Sequence, residues 1–391
     1  MSSTLIFSAQ RTPIGSFNGS LSSMSSTELG SKAIGSALKQ SGFNPDDIQE
    51  CIMGQVLAAG VGQAPARQSW IKSGGTVSTQ CLTINKVCGS GLKAVMLADD
   101  AIKLGRAEAI VCGGQESMSQ SPYLQMGARA GYRMGHQTLE DSLIKDGLWD
   151  PYNNWHMGNA AELCVQEYKI SRQEQDEFAV ESYNKALQAQ KKNWFEKEIL
   201  TLEIQDRKGP IKIIQDEEPA KVMFDKILTL RPAFDKNGTV TAANASKLND
   251  GAAALVLGSS NMQSKTSTKP IAKIIAQATF AQDPKWFTTA PVGAIKKALS
   301  FAKKSVADID LWEINEAFSI VTMAAQKDLN IQFDKINVHG GAVALGHPIG
   351  ASGARILTTL IHALHTHDKQ FGLATLCIGG GEAVALIIER V

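Results

Sequence analysis

The two ends of the chain repeat each other at a nearly constant spacing. Four blocks recur with offsets of 267, 261, 262 and 265 residues, in this order: 8–10 with 275–277, 47–53 with 308–314, 90–93 with 352–355, and 110–114 with 375–380. A nearly constant offset over four ordered blocks is hard to reach by chance. The sequence therefore predicts two halves with one common fold.

Helix signals lie between the strand-like runs of each half. Ser25 and Glu28 form a capping box ahead of an apolar segment, and Gly42 with Pro45 indicates where this helix ends. Strands that alternate with helices favour βαβ units and a mostly parallel sheet in each half. We therefore expect an α/β protein in which both halves are built in the same way.

The C-terminal half ends with two predicted strands, 373–379 and 383–389, but the matching pair in the N-terminal half is interrupted. Its first strand ends at 112–114 and its second is predicted at 252–257. We therefore divide the chain into an N-terminal half (1–116 with 250–270), an inserted loop domain (117–249) and a C-terminal half (271–391). An insertion this long usually covers a site or an interface.

Composition excludes several classes of protein. A chain of 391 residues with 43% hydrophobic and 20% charged residues is typical of a soluble protein of two or three domains. A net charge of +1 gives no reason to expect nucleic-acid or membrane partners. Six cysteines in a chain of this length indicate a reducing compartment. No run reaches the roughly 18 apolar residues of a membrane span, and no targeting signal is recognised. We expect a cytoplasmic protein.

Cys88 stands directly before the segment 92–104, which is apolar nearly all round and is predicted to form a buried helix. Free N–H groups and the helix dipole at such an N-terminus favour negative charge. We therefore expect a lowered pKa for Cys88 and a thiolate nucleophile. Gly89 and Gly91 would let an acyl group approach the backbone. Taken alone, a cysteine beside glycines is more often inert packing.

Three further loops carry candidate reactive groups. His347 precedes a helix of the C-terminal half as Cys88 precedes its own, which suggests a nucleophile and its base. Cys377 ends a strand, and glycine N–H groups beside it could bind an oxyanion. Asn315 lies between a strand and a helix, where it could hold a water or an oxyanion, although such an asparagine is more often a helix cap.

Together these motifs resemble the signature set of the thiolase family: Val87-Cys88-Gly89-Ser90-Gly91, Asn315-Glu316-Ala317-Phe318, Gly346-His347-Pro348 and Cys377-Ile378-Gly379-Gly380-Gly381. The resemblance covers essentially the whole chain, and His156-Met157-Gly158 is similar to the acetyl-CoA acetyltransferase branch. It implies a layered αβαβα core with an inserted loop domain, and a homotetramer (a dimer of dimers) joined through the early insert. It also implies coenzyme A thioesters as substrates, with no cofactor and no metal.

The resemblance further implies a reversible Claisen condensation of two acetyl-CoA to acetoacetyl-CoA and CoA. Cys88 would carry the acetyl group, and His347 would take the thiol proton. His347, with a water held by Asn315, would stabilise the thioester oxyanion. Cys377 would remove a proton from the second acetyl-CoA, and the N–H groups of Cys88 and Gly379 would form a second oxyanion hole.

Acyl and CoA contacts are implied for a further set of residues: Leu148, His156, Met157, Phe234, Ala242, Ser246, Leu248, Ala317 and Phe318. Many family members have glycine at the position of Lys247, and a lysine there could instead meet a CoA phosphate. Phe287 is a further candidate for the acyl pocket, although an aromatic pair in a surface loop is often only a lid.

Other functions stay open: a degradative 3-ketoacyl-CoA thiolase, a ketoacyl-carrier-protein synthase (against which Cys377 counts), and a non-catalytic acyl-CoA or lipid binding protein of the same fold. The remaining cysteines are expected to be core fillers: Cys51, Cys81, Cys112 and Cys164. The histidines 362, 365 and 367 are expected at a solvated helix end rather than in a metal site, and His339 is expected to brace the His347 loop.

Overall fold

A computed structural model describes residues 3–206 and 209–391. Its strands are β1 Thr4–Arg11, β2 Gly15–Ser16, β3 Glu50–Gly54, β4 Gln80–Ile84, β5 Ala109–Ser117, β6 Tyr123–Leu124, β7 Glu140–Asp141, β8 Trp149–Asp150, β9 Trp155–His156, β10 Leu202–Asp206, β11 Gly209–Ile213, β12 Asn249–Ser259, β13 Ala272–Ala281, β14 Leu311–Ile314, β15 Phe371–Ile378 and β16 Glu382–Arg390. Its helices are α1 Ser26–Ser41, α2 Pro65–Lys72, α3 Ser90–Lys103, α4 Met157–Tyr168, α5 Arg172–Lys191, α6 Phe224–Ile227, α7 Ala290–Ala302, α8 Ser319–Leu329, α9 Ala342–Leu345 and α10 Ser352–Thr366.

One hydrogen-bonded sheet runs through both halves in the order β14-β15-β16-β13-β1-β12-β5-β3-β4, with β2 added to β12. The halves join where β1 pairs with β13 over Leu5 and Ile6. Only β3–β4, β3–β5 and β14–β15 are parallel pairs within the described sheet. The expectation of a mostly parallel sheet is therefore wrong. A short connection such as the glycine turn between β15 and β16 can join only antiparallel strands.

The duplication extends to irregular details of the backbone. The pairing register shifts between Ile6 and Ser8 in β1, and it shifts again between Ile274 and Ala276 in β13. Helices α1 and α7 both end at a left-handed residue and are followed by short 3₁₀ turns, Pro45–Asp47 and Val306–Asp308. The two halves therefore share irregular features as well as strands and helices, and the predicted duplication is confirmed.

Five layers result from this duplication. Helices α3 and α10 contact each other in the middle and share one apolar core with the facing sides of both half-sheets. Helices α1 and α2 cover the outer side of the N-terminal half, while α7 covers that of the C-terminal half. Leu92 and Leu357, in the two central helices, have no exposed surface. The predicted αβαβα arrangement and the buried helix after Cys88 are confirmed.

The segment between β5 and β12 contains α4, α5, α6 and three two-stranded hairpins. Arg11 of β1 anchors it, because its buried guanidinium lies 2.6 Å from carboxylate oxygens of both Glu198 and Asp216. Breaking such a buried pair typically costs about 3–5 kcal/mol. In the described ranges no helix has both the length and the apolar character needed to cross a membrane.

Candidate active site

A cavity of about 480 Å³ lies where the insert meets the duplicated core. Nine of the residues expected to bind substrate or catalyse line it: Leu148, His156, Phe234, Ala242, Ser246, Leu248, Ala317, Phe318 and His347. Other lining residues were not foreseen, among them Met118, Glu218, Lys221 and Ile349. Cys88 packs against an apolar cluster that contains Met118 and Ile349, two of the lining residues. These nine residues come together from four separate stretches of sequence, whereas Cys88, Met157, Asn315, Cys377 and Gly379 are not among the lining residues.

His347 lies in the loop between α9 and α10, where it is buried and held on two sides. Its backbone N–H donates to Asn249 Oδ1 at 2.9 Å, and Nδ1 lies 2.6 Å from Ser352 Oγ. The Ser352 hydroxyl donates a hydrogen bond to the Pro348 carbonyl at 2.9 Å. Because the hydroxyl has only one proton, it accepts the hydrogen bond from His347, whose proton is therefore on Nδ1. Nε2 is then unprotonated, and no described residue hydrogen-bonds to it. Burial lowers the pKa of His347 to about 3, which keeps the ring a neutral base.

Cys88 follows Val87, whose φ of 45° is unusual for a β-branched residue. Burial raises the pKa of Cys88 to about 11, while the N–H groups of Gly379 and of Cys88 itself oppose this rise and the charge of Glu116 adds to it. The expectation of a lowered pKa is therefore wrong. The N–H groups act in the direction expected, but desolvation of the thiolate outweighs them. A thiol in this state needs a base before it can attack.

Cys377 ends β15 beside the turn that contains Gly380 and Gly381. Its side chain is fully buried, and burial raises its pKa well above the ordinary value, with the neighbouring Cys88 adding to the effect. Cys377 therefore rests as a thiol. Gly379 directs its N–H to the Cys88 sulfur, and the Met157 side chain reaches this glycine from the insert.

Asn315 lies just beyond β14, and its backbone N–H donates to the Thr375 carbonyl of the neighbouring strand. The side chain is buried, yet neither its oxygen nor its nitrogen has a hydrogen-bond partner among the residues described. A buried amide normally satisfies both groups, so this one is suited to hold a water or a substrate oxygen. It does not act as a helix cap.

Sequence reasoning missed Glu116 in β5. Its buried carboxylate accepts the backbone N–H groups of Val56 (3.1 Å), Leu57 (3.2 Å) and Gly350 (2.9 Å), which ties the loop after β3 to the His347 loop. Burial raises the pKa of Glu116 to about 7, while these hydrogen bonds lower it. A Gln-Glu pair inside an otherwise apolar strand was the available signal.

Three aromatic rings line one part of the cavity: those of His156, Phe234 and Phe318. His156 stacks on Phe234 with ring centres 4.7 Å apart, and Phe234 meets the edge of Phe318 at 5.9 Å. Phe287 is buried and lies 6.4 Å behind Phe318. It does not lie in an exposed surface loop, because α4 packs against its turn, and it supports Phe318 rather than forming a lid.

Lys247 lines the cavity, but its ammonium group is directed at backbone carbonyls of the protein. Nζ donates to the carbonyls of Ala245 (2.9 Å) and Val343 (3.3 Å), and it lies 5.7 Å from the centre of the Tyr183 ring. Burial lowers the pKa of this lysine to about 8. Contact with a CoA phosphate is not supported by this geometry, because the donors are directed at backbone carbonyls.

The remaining candidates have structural contacts. His362 Nε2 lies 3.0 Å from the Ala9 carbonyl, and His365 Nε2 lies 2.8 Å from that of Ile271. His367 pairs with His339, which stacks on Trp194 of the insert. The helix end is thus less solvated than expected. The cysteines 51, 112 and 164 are buried as expected, whereas Cys81 is only partly buried.

Comparisons with known proteins cover the whole chain. Family models match residues 4–261 (Thiolase, N-terminal domain) and 268–390 (Thiolase, C-terminal domain). The acetyl-CoA acetyltransferase of Cupriavidus necator is 51% identical over 392 residues, with 100% of each chain covered. A crystal structure of a thiolase from Ascaris suum in complex with coenzyme A is 43% identical, with a TM-score of 0.94 and 100% of each chain covered. The Bacillus anthracis acetyl-CoA acetyltransferase is 39% identical, with a TM-score of 0.97, and 100% of this chain and 99% of that chain are covered.

Proposed function

The chain belongs to the thiolase family of acyltransferases, and on that premise we propose that it is an acetyl-CoA C-acetyltransferase. It condenses two acetyl-CoA to acetoacetyl-CoA and CoA, and catalyses the reverse thiolysis. The observation that carries the mechanism is the fixed tautomer of His347, whose unprotonated Nε2 belongs to the cavity that Cys88 adjoins.

In the first half-reaction, His347 Nε2 takes the proton of the Cys88 thiol, whose high pKa makes this base necessary. The thiolate then attacks the carbonyl carbon of acetyl-CoA. The N–H groups of Cys88 and Gly379, which already point at the sulfur, bind the oxyanion of the tetrahedral species. The carbon–sulfur bond to CoA breaks, and the departing CoA thiolate takes the proton of Cys377.

These transfers leave acetyl-Cys88, a Cys377 thiolate and a protonated His347. In the second half-reaction the Cys377 thiolate removes a proton from the methyl carbon of a new acetyl-CoA. The imidazolium of His347 and a water on Asn315 stabilise the enolate oxygen. The carbanion attacks acetyl-Cys88, acetoacetyl-CoA leaves, and His347 returns its proton to the Cys88 thiolate, so that all protons are restored.

Acetyl labelling tests this proposal directly. Incubation with acetyl-CoA, acid quench and peptide mapping by mass spectrometry should place one acetyl group on Cys88. A binding protein of the same fold would remain unlabelled. Thiolysis across acetoacetyl-CoA and longer 3-ketoacyl-CoA then separates the biosynthetic enzyme from the degradative one, and the ring cluster of His156, Phe234 and Phe318 supports the short substrate.

We further propose that the enzyme is a cytoplasmic homotetramer of lipid metabolism that needs no cofactor or metal beyond its thioester substrates. Large apolar side chains of the early insert are exposed, as an interface requires: Tyr123, Met126, Met134 and Leu139. Light scattering gives the assembly size, subcellular fractionation gives the compartment, and turnover after dialysis against EDTA tests the metal. Replacement of Met134 by Glu should lower the fraction of the protein that light scattering detects as tetramer.

A further inference from the structure

Two cysteines that the mechanism does not use lie side by side on neighbouring parallel strands. Cys51 of β3 is directly opposite Cys81 of β4 in the pairing register. Neighbouring strands are about 4.8 Å apart, which lies within the roughly 4.4–6.8 Å between Cα atoms that a disulfide bridges. Each of the two thiols also shifts the pKa of the other, as neighbouring groups do. The register therefore places the two cysteines at a separation that a disulfide can span.

The pair occupies the opposite side of the sheet from the catalytic helix. Both cysteines belong to the apolar cluster beneath α1 and α2, together with Ala66 and Trp70. The central helix α3, which follows Cys88, packs against the other face. Neither cysteine lines the substrate cavity, so chemistry at this pair is separate from the proposed reaction.

The surroundings give the two sulfurs different roles. Arg67 of α2 places Nη1 3.9 Å from Cys81 Sγ, and the same nitrogen is fixed by the Thr79 carbonyl at 2.7 Å. The hydrogen bond from Cys51, together with Arg67, lowers the pKa of Cys81 to about 7 against the opposing effect of burial. The pKa of Cys51 is raised well above its ordinary value.

The four other cysteines, all of them described, have raised pKa values because burial disfavours their thiolates: Cys88, Cys112, Cys164 and Cys377. Cys81 is half-buried, as Cys88 is, but Cys81 also has the guanidinium of Arg67 3.9 Å from its sulfur. Because oxidation of a cysteine depends on its thiolate fraction and its access, Cys81 is the thiol that an oxidant meets first. Cys81 was expected to be a core filler because its sequence neighbours reveal neither Arg67 nor Cys51 beside it.

We propose that Cys51 and Cys81 form a reversible dithiol–disulfide site that reacts with peroxides before the catalytic cysteines do. Cys81 is the thiol that the peroxide oxidises, and Cys51 is the resolving thiol. The Cys81 thiolate attacks one oxygen of hydrogen peroxide, so that an S–O bond forms, the O–O bond breaks and hydroxide leaves. Cys51 then loses its proton and attacks the Cys81 sulfur. An S–S bond forms, the S–O bond breaks and hydroxide leaves again. Two thiols lose two electrons, and peroxide is reduced to two waters.

The experiment treats the complete enzyme with one equivalent of hydrogen peroxide in the absence of acetyl-CoA. Remaining thiols are blocked, and peptides are mapped without reduction. We expect a cross-linked pair of peptides that contain Cys51 and Cys81, reversed by dithiothreitol, while Cys88 is still alkylated and most thiolase activity is retained. Oxidation of Cys88 first, or Cys81 oxidised to sulfinic acid without a cross-link, would overturn the proposal.

Variants separate the two roles. Cys51→Ser should leave Cys81 as a sulfenic acid that dimedone traps, and Cys81→Ser should abolish the cross-link without labelling Cys51. Cys112→Ser, on the next strand, is the matched control and should leave the cross-link unchanged. Arg67→Gln should raise the pH at which iodoacetamide alkylates Cys81, whereas Arg67→Lys should preserve most of the effect. An unchanged alkylation profile in Arg67→Gln would contradict the role of the arginine.

Discussion

Ser352 Oγ lies 2.6 Å from His347 Nδ1 and donates a hydrogen bond to the Pro348 carbonyl. This chain of two hydrogen bonds decides which ring nitrogen is free to act as a base. The serine belongs to the repeated block of the duplication, in which Ser90 is its equivalent beside Cys88. There Ser90 Oγ donates to the Val87 carbonyl and accepts a hydrogen bond from the Lys86 N–H. In both halves, therefore, the equivalent serine hydroxyl holds the reactive loop in place.

Replacement of Ser352 by Ala should lower kcat by about 10-fold or more. Without the serine, the proton of His347 is no longer fixed on Nδ1, and part of the roughly 10²–10⁴-fold rate contribution of a general base is lost. Ser352→Thr keeps the hydroxyl and should restore much of the rate. Steady-state thiolysis with circular dichroism of each variant makes the comparison. A kcat within twofold of wild type in the folded Ala variant would show that Ser352 does not set the tautomer.

Cys88→Ala should abolish both condensation and thiolysis, because no other described thiol adjoins the cavity with two N–H groups directed at its sulfur. Loss of a nucleophile costs several orders of magnitude in rate. The measurement is turnover in both directions together with acetyl mapping. Acetyl label on another cysteine, or retained turnover, would remove Cys88 from its assigned role.

The sequence was sufficient for features that are local or repeated. The duplication predicted two halves of one common fold, the resemblance to thiolases implied the five layers, and the motifs around Cys88 and His347 predicted which loops converge. Partners distant in sequence were not predictable, because Glu116 meets Gly350 across 234 residues and Asn249 meets His347 across 98. The sign of the pKa shift at Cys88 was also wrong, since desolvation depends on packing that no single motif encodes.

Cys377→Ser should separate the two half-reactions. A hydroxyl is a far weaker acid–base group than a thiol, so condensation should fall by about 10²–10⁴-fold. Acetylation of Cys88 should survive, because His347 and the N–H groups around Cys88 remain in place and water can protonate the departing CoA. Acetyl-enzyme formation and full turnover are measured on the same sample. An equal loss of both would indicate that Cys377 assists Cys88 directly.

Glu116→Gln should lower the pKa of Cys88. The pKa of Glu116 is about 7, so its carboxylate is ionised over the range in which Cys88, with a pKa of about 11, loses its proton. A negative charge nearby opposes thiolate formation, and the neutral amide removes that opposition. The rate of inactivation by iodoacetamide against pH measures the effect, and its midpoint should move to lower pH. A midpoint that stays in place or rises would show that the Glu116 charge does not act on Cys88.

We expect the acyl chain length to be decided where Phe318 lines the cavity. Phe318 is supported from behind by Phe287, and Met157 lies beside Gly379. An added methylene in a filled pocket costs about 1–3 kcal/mol, or roughly 10–200-fold in specificity. We expect kcat/KM for acetoacetyl-CoA to exceed that for 3-ketohexanoyl-CoA, and Met157→Ala to narrow the gap. Met223→Ala, at an exposed methionine of the insert that does not line the cavity, is the control and should leave the ratio unchanged. Comparable kcat/KM values for both substrates in wild type would favour the degradative enzyme and leave the roles of Cys88, His347 and Cys377 as they are.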